Sequence, residues 1–282
     1  MDAVSGFLFE ELDIRAARVA LGPAWRQMAS GRGYPAPVGN LLGQMAAVTT
    51  LIGSNLKTPG RLTFHLQGSG PVRLLVVDCD EQLRLRGTAK AAAEVAAAPL
   101  PALLGDGQLA LTLQTEGSGR PYQSIVPLAG DSVAAVFEHY LALSEQTPAR
   151  LFLHADDSNA AGMLLQKLPD ADRRDPDGWN RIGLLADTLR PAELLLPMED
   201  LVTRLFGEET VRLFPPRPVT YHCPRDEAKV LAMLSTLGRD EVEKMLAEAG
   251  EVHIHDDICN QDYRFGPEVL ERLFASPSRS IH

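Results

Sequence analysis

Two of the three cysteines, Cys223 and Cys259, stand in the C-terminal quarter, in TYHCPRDEAK and HIHDDICNQDYRF. A thiolate can act as nucleophile, metal ligand or half of a disulfide, so the chemistry open to this region is sulfur chemistry. Structural zinc takes four ligands converging tetrahedrally, and short C-x-C or C-x-x-C pairs supply two each from one turn. Here Arg225 stands where Cys223 would have its partner, and Asp256 stands where Cys259 would have its own. Arg225 is no ligand: its guanidinium stays protonated, and a fixed positive charge opposes a nearby dication. Asp256 can still donate oxygen, and His222, His253 or His255 can donate nitrogen. One reading is therefore zinc on Cys223 and Cys259, with His255 and Asp256 as auxiliary ligands.

The two substituted positions carry opposite charge, which suggests an Arg225–Asp256 ion pair in place of the metal. Such a pair contributes about 0 to 1 kcal/mol if exposed, and losing one partner costs about 3 to 5 kcal/mol if buried. Either falls well below the roughly 10 to 16 kcal/mol that structural zinc supplies to small zinc-finger peptides. Thiolates on one zinc lie about 3.8 Å apart, so two thiols kept in that arrangement need little movement to join. A Cys223–Cys259 disulfide is the second reading, contributing about 3 to 4 kcal/mol through chain entropy. The third is a pair of incidental thiols.

Elsewhere the chemistry is sparse. Cys79 sits in the apolar run VRLLVVDC and reads as an inert core thiol. His154, Asp156 and Asp157 in LFLHADDSN have the composition of a polar turn between strands as well as that of an acid–base cluster. No nucleophile elbow, P-loop or dinucleotide-binding glycine motif follows a plausible strand, so no catalytic residue is assigned and an enzyme is not expected.

The elements that must position the cysteines follow from periodicity. Between Pro37 and Asn55, Leu41, Leu42, Met45, Val48, Leu51 and Ile52 recur at helical spacing, predicting a helix buried on one side. Leu62, Phe64 and Leu66 alternate with polar residues, VRLLVVDCD suits a central strand, and Leu83 with Leu85 starts a third. The alanine-rich stretch from Lys90 to Leu104 is expected to hold a short helix, Leu109, Leu111 and Leu113 another strand, and Gly117-Ser118-Gly119 a hairpin turn. Asp131 is placed as N-cap of a helix that stops before Pro148, and ARLFLHA and GMLLQKL read as two further strands. The outcome is an α+β fold with an antiparallel sheet.

PDADRRDPDGWN, from Pro169 to Asn180, is polar and broken by proline, as a boundary should be. Three segments result: an α+β domain over 1–175, a helical linker over 176–220 and a small domain over 221–282. In the linker Ile182, Leu184, Leu185 and Leu189 mark one helix, and Leu201, Val202, Leu205 and Phe206 another. The small domain has helical patterns over Ala228–Leu237 and Asp240–Ala249, a β-rich stretch from Val252 to Phe265, and Pro267 at a first helical turn.

A net charge of −10 excludes a phosphate-neutralising surface, so nucleic acid is not an expected partner. No apolar run approaches the ~18 residues that cross a bilayer, MDAVSGFLFEELDIR lacks a secretory pattern, and an odd cysteine count suits a reducing compartment. A cytoplasmic protein without a membrane partner is expected.

Long ordered stretches resemble the heat-shock protein 33 family, the redox-regulated holdase chaperones of bacteria. They are YPAPVGNLLGQMAAVTTLIGSNLKTPGRLTFHLQGSGPVRLLVV, RPYQSIVPLAGDSVAAVFEHYLALSEQTPARLFLHA, AAGMLLQKLP, VTYHCPRDEAKVLAML and EVHIHDDICNQDYRF. The resemblance implies an N-terminal α+β domain, a helical linker lying on it and a C-terminal redox domain. It also implies zinc held by four cysteines, released when oxidation forms two disulfides and unfolds the small domain and linker. Clients would be unfolded proteins, bound without nucleotide under oxidative or heat stress, with a second copy as a further partner of the activated state. Only Cys223 and Cys259 match the four thiols, so the zinc and thiol switch is altered or lost. The linker stripe from Ile182 to Leu189 and the sheet beneath it are the candidate client surface. Two other functions compete: a constitutive protein-interaction module, and a thiol oxidoreductase using Cys223 and Cys259, weakened by the lack of a C-x-x-C pair.

Overall fold

The computed structural model describes residues 2–56, 58–115, 120–144 and 146–274. The chain divides into two compact units, Met1–His222 and Cys223–His282. The first begins with β1 (Ala3–Phe9), β2 (Ile14–Leu21), α1 (Pro23–Ala29), α2 (Ala36–Ser54), β3 (Gly60–Gly68), β4 (Val72–Cys79) and β5 (Arg84–Ala91). It continues through α3 (Leu100–Leu104), β6 (Gly107–Thr115), β7 (Tyr122–Pro127), α4 (Val133–Ser144), β8 (Ala149–Ala155) and β9 (Ala160–Lys167). Then come α5 (Ala171–Arg174), α6 (Gly178–Ala186), a 3-10 turn (Pro191–Leu195), α7 (Met198–Phe206), β10 (Val211–Leu213), β11 (Arg217–Pro218) and β12 (Thr220–Tyr221). The second unit holds α8 (Glu227–Leu237), α9 (Arg239–Ala249), β13 (Val252–Asp256), β14 (Gln261–Phe265) and α10 (Val269–Phe274).

Two sheets form the first unit. One is antiparallel in the order β10-β1-β2-β9-β8, with β11 also on β1; the other runs β12-β5-β4-β3-β6-β7 and is antiparallel except for the parallel β12–β5 pair. This is the expected α+β architecture. Helix α2 lies between the sheets and shares one core with Val19 and Leu164 of the first and Phe64 and Val77 of the second. It is buried on all sides rather than one, because Gly43, Ala46, Ala47, Thr49, Thr50 and Gly53 fill the face that lacks large residues. These small side chains admit a second sheet: a Cβ on Gly43 would meet the Ala155 Cβ at 2.6 Å.

The alanine-rich stretch holds the expected short helix, at its end over Leu100–Leu104, since exposed alanines have no stripe to bury and Pro99 and Pro101 fix where a helix can start. Two local expectations shift. Helix α4 is capped by Ser132, whose Oγ accepts the N–H of Ala135, rather than by Asp131. Leu83 is a turn residue with φ 57°, so the third strand begins at Arg84. The turn read at Gly117-Ser118-Gly119 falls outside the described residues, while β6 and β7 on either side of it pair antiparallel.

Candidate functional site

In the second unit the hairpin β13–β14 alternates. Val252, Tyr263 and Phe265 turn inward to Val230, Leu234, Val242 and Val269, while His253, His255, Asp262 and Arg264 face out. The connecting turn places Asn260 at φ 51°. Asp256 ends β13, and its Oδ1 accepts the N–H of Ile258 at 2.9 Å and of Cys259 at 3.2 Å. That clasp fixes the backbone of the turn and aims Cys259 toward the segment leading into α8. There Cys223 meets it: the two are joined as a disulfide, S–S 1.96 Å, with Cα atoms 5.4 Å apart.

Around the disulfide the two halves of the unit close on Tyr263, which is 1% exposed. Its hydroxyl accepts the Asp226 N–H at 3.0 Å and donates to Gln261 Oε1 at 3.2 Å. Gln261 Nε2 donates to the Cys223 carbonyl at 2.8 Å. The Arg225 guanidinium lies over the Tyr263 ring, 4.4 Å from its centroid. Asp226 caps α8 through the Lys229 N–H. The expected Arg225–Asp256 ion pair is therefore not formed. Backbone donors of its own turn engage Asp256, and an aromatic face takes the arginine.

Donors set this way do not fit a structural zinc ion. Both sulfurs are consumed in the disulfide, and Asp256 Oδ1 already accepts two N–H groups. His255 Nδ1 and His253 Nε2 lie 3.1 and 2.6 Å from Asp262 Oδ1. Hydrogen bonds from His253 first, then His255, hold the Asp262 carboxyl below the ordinary carboxylate range. Among the described residues no three His, Cys, Asp or Glu side chains group to hold a metal. His222 belongs to the first unit, its N–H donating to the Leu85 carbonyl.

The other sites from the sequence resolve in the first unit. Cys79 is a free, fully buried thiol whose pKa burial pushes far up. Asp156 makes the β8–β9 turn, its Oδ1 accepting the N–H groups of Ser158 and Asn159, each at 2.8 Å. The linker stripe covers a sheet. On β1, β2 and β9 the side chains of Phe7, Phe9, Ile14, Ala16, Met163 and Leu165 form one apolar platform. Onto it pack Ile182 and Ala186 of α6, Leu194 of the 3-10 turn, and Leu201, Leu205 and Phe206 of α7. Phe206 meets Phe9 edge-on at 5.0 Å. Leu184 instead points outward, 61% exposed, and Leu189 lies beyond the end of α6.

Polar contacts fasten this lid. Arg150 on β8 pairs with Asp187 after α6, and Arg181 bridges Asp175 at 2.9 Å and Glu209 at 2.8 Å. Arg18 does something different. It projects from the platform face of β2, is 9% exposed, and donates from Nε to the Leu194 carbonyl at 2.7 Å and from Nη2 to the Leu196 carbonyl at 2.6 Å. Sequence reasoning missed Arg18, Gln261 and Tyr263. For Arg18 a signal exists: it shares strand parity with Ile14 and Ala16, a charge on the apolar face.

Known proteins resemble this chain over nearly its whole length. The chain is 40% identical to the 33 kDa chaperonin of Methylobacillus flagellatus over 98% of its own length and 95% of that protein's. It is 41% identical to the 33 kDa chaperonin of Chromobacterium violaceum, covering 97% and 94%. Its fold matches the crystal structure of the 33 kDa chaperonin from Thermotoga maritima with a TM-score of 0.81 at 23% identity, over 96% of this chain and 97% of that one. The relatives carry the name of a chaperonin, not of an enzyme. The family model for the Hsp33 protein matches residues 2–266, and the chain belongs to the Hsp33 family.

Proposed function

We propose that this protein is an ATP-independent holdase of the cytoplasm, which shelters unfolded proteins on the platform when the lid of α6, the 3-10 turn and α7 lets go. The carrying observation is the lid itself. A continuous apolar sheet face is covered by short helical pieces from a single segment, with exposed ion pairs at its edges. Exposed pairs contribute little, about 0 to 1 kcal/mol each, so the lid can open well below global unfolding. Each square ångström of apolar area a client then covers contributes about 25 cal/mol.

The thiol pair serves this function as a staple. In the family pattern oxidation releases zinc and unfolds the small domain, whereas here the oxidised pair closes a folded unit. Heat, more than oxidant, is the expected trigger. Light scattering from a heat-unfolded client enzyme without nucleotide tests the reading: sub-stoichiometric to equimolar protein should suppress aggregation. No suppression with protein that is oxidised, reduced or prewarmed would end it. Metal analysis of protein purified without chelator should find no stoichiometric zinc; a signal lost in Cys223→Ser would restore the metal centre.

A further inference from the structure

We propose that Arg18 is a peptide-backbone subsite at the centre of the platform, taking two main-chain carbonyls of an unfolded client where it now holds those of Leu194 and Leu196. The inference rests on the holdase reading above and names what that site recognises.

Strand β2 is the middle strand of its sheet, and Arg18 pairs in register with Ser5 on one side and Met163 on the other. Its guanidinium thus stands among the apolar side chains that a client would cover. Among the described residues no carboxylate pairs with Arg18, and its hydrogen bonds go to the Leu194 and Leu196 carbonyls alone. Burial lowers its pKa from the ordinary arginine value, yet a guanidinium remains charged in proteins. A buried cation of this kind must keep acceptors.

Both acceptors are backbone groups: the Leu194 carbonyl belongs to the end of the 3-10 turn and the Leu196 carbonyl to the extended residue after it, φ −60° and ψ 156°. Side chains differ from client to client, but every unfolded chain brings main-chain carbonyls. When the lid leaves, water hydrates the guanidinium. An arriving client strips that water with its apolar contacts, and its carbonyls restore the lost bonds. An open cavity of about 390 Å³ beside Arg18, lined also by Leu195, Leu196 and Pro197, gives a chain access at the lid's rim.

The test separates latch from subsite. Leu194→Asp with Leu201→Asp and Leu205→Asp strips the 3-10 turn and α7 from the platform and gives a lid-open parent. Its affinity for a reduced, carboxymethylated unfolded protein is read by fluorescence anisotropy. Adding Arg18→Met should weaken binding about tenfold to a hundredfold, the equivalent of about 1.5–3 kcal/mol for hydrogen bonds to a charged group. Arg18→Lys should recover only part of that loss. In the closed protein the same Arg18→Met should speed hydrogen exchange across residues 190–206, so the latch and subsite readouts move in opposite functional directions. Unchanged affinity in the lid-open background would make Arg18 a latch only and overturn the proposal. A lid-open parent that binds no unfolded protein would instead fell the holdase reading, and this subsite with it. Should Arg18→Met lose its cooperative melt, the lid-open parent is titrated with a peptide of residues 190–199, RPAELLLPME, and with its ester analogue at the Leu194–Leu195 bond. A several-fold weaker ester supports the subsite, and equal affinities overturn it.

Discussion

At the scale of single residues, the two charges beside the disulfide are satisfied locally rather than mutually. Arg225 and Asp256 are of opposite sign, yet each found a nearer partner, an aromatic face and a pair of turn amides. Their energetic effects should therefore be independent. Arg225→Ala is expected to cost the second unit about 0.5–1 kcal/mol from the lost cation–π contact. Asp256→Ala should cost about 1 kcal/mol from the unsatisfied turn donors. In a double-mutant cycle by urea melting the two should add within about 0.5 kcal/mol. A coupling well above that would revive the ion pair. The cysteines were legible because thiols are few and their neighbours are charged. Tyr263 was not, since a tyrosine on an alternating strand reads as core, and only tertiary structure brings Asp226 to the hydroxyl it shares with its strand neighbour Gln261.

At the scale of elements, the lid is the part whose stability should depart from the rest. Strands β3 and β6 and helix α2 were plain in the sequence because their apolar residues repeat at strand or helix period, and β4 because a continuous apolar run suits a central strand. Strands β1 and β2 were not read. Both faces of that sheet are covered, by α2 on one side and the lid on the other, so their small and apolar residues show no clean alternation, and Arg15 and Arg18 interrupt what remains. The lid's start depends on Asp175. Its carboxylate accepts from Arg181 and from the Asp177 N–H, which hold its pKa below the ordinary value of about 3.9. Its contribution is thus complete above that value and is lost as pH falls through the lower, folded pKa. Hydrogen exchange in α6 should accelerate relative to β2 and β9 below about pH 3.9, after correction for intrinsic rates. Uniform acceleration would mean that lid and platform open together. Removing the ring at Phe206→Ala should cost about 3–5 kcal/mol, concentrated in the same segment, and raise holdase activity at a fixed temperature.

At the scale of the whole molecule, the two units differ in what keeps them folded. The first has two sheets around a buried helix and, with Cys79 free and buried, owes nothing to sulfur. The second has a small core around Val230, Leu234, Val242 and Tyr263, and its disulfide encloses a sequence separation of 36. Chain-entropy reasoning assigns such a loop about 4 kcal/mol, most of what a unit of this size can spare. Reduction should then act where oxidation acts in the family pattern. In scanning calorimetry, a reductant should lower the melting temperature of the second unit by more than about 10 °C and leave the first unit's transition in place. Cys223→Ser should behave like the reduced protein and be indifferent to reductant. Reduced protein held above the melting temperature of the second unit should expose two reactive thiols, and Cys79 should join them only when the first unit unfolds. If both transitions ignore the reductant, the hydrogen bonds and ring contact at Tyr263 suffice to close the unit, and the thiol pair has no structural role.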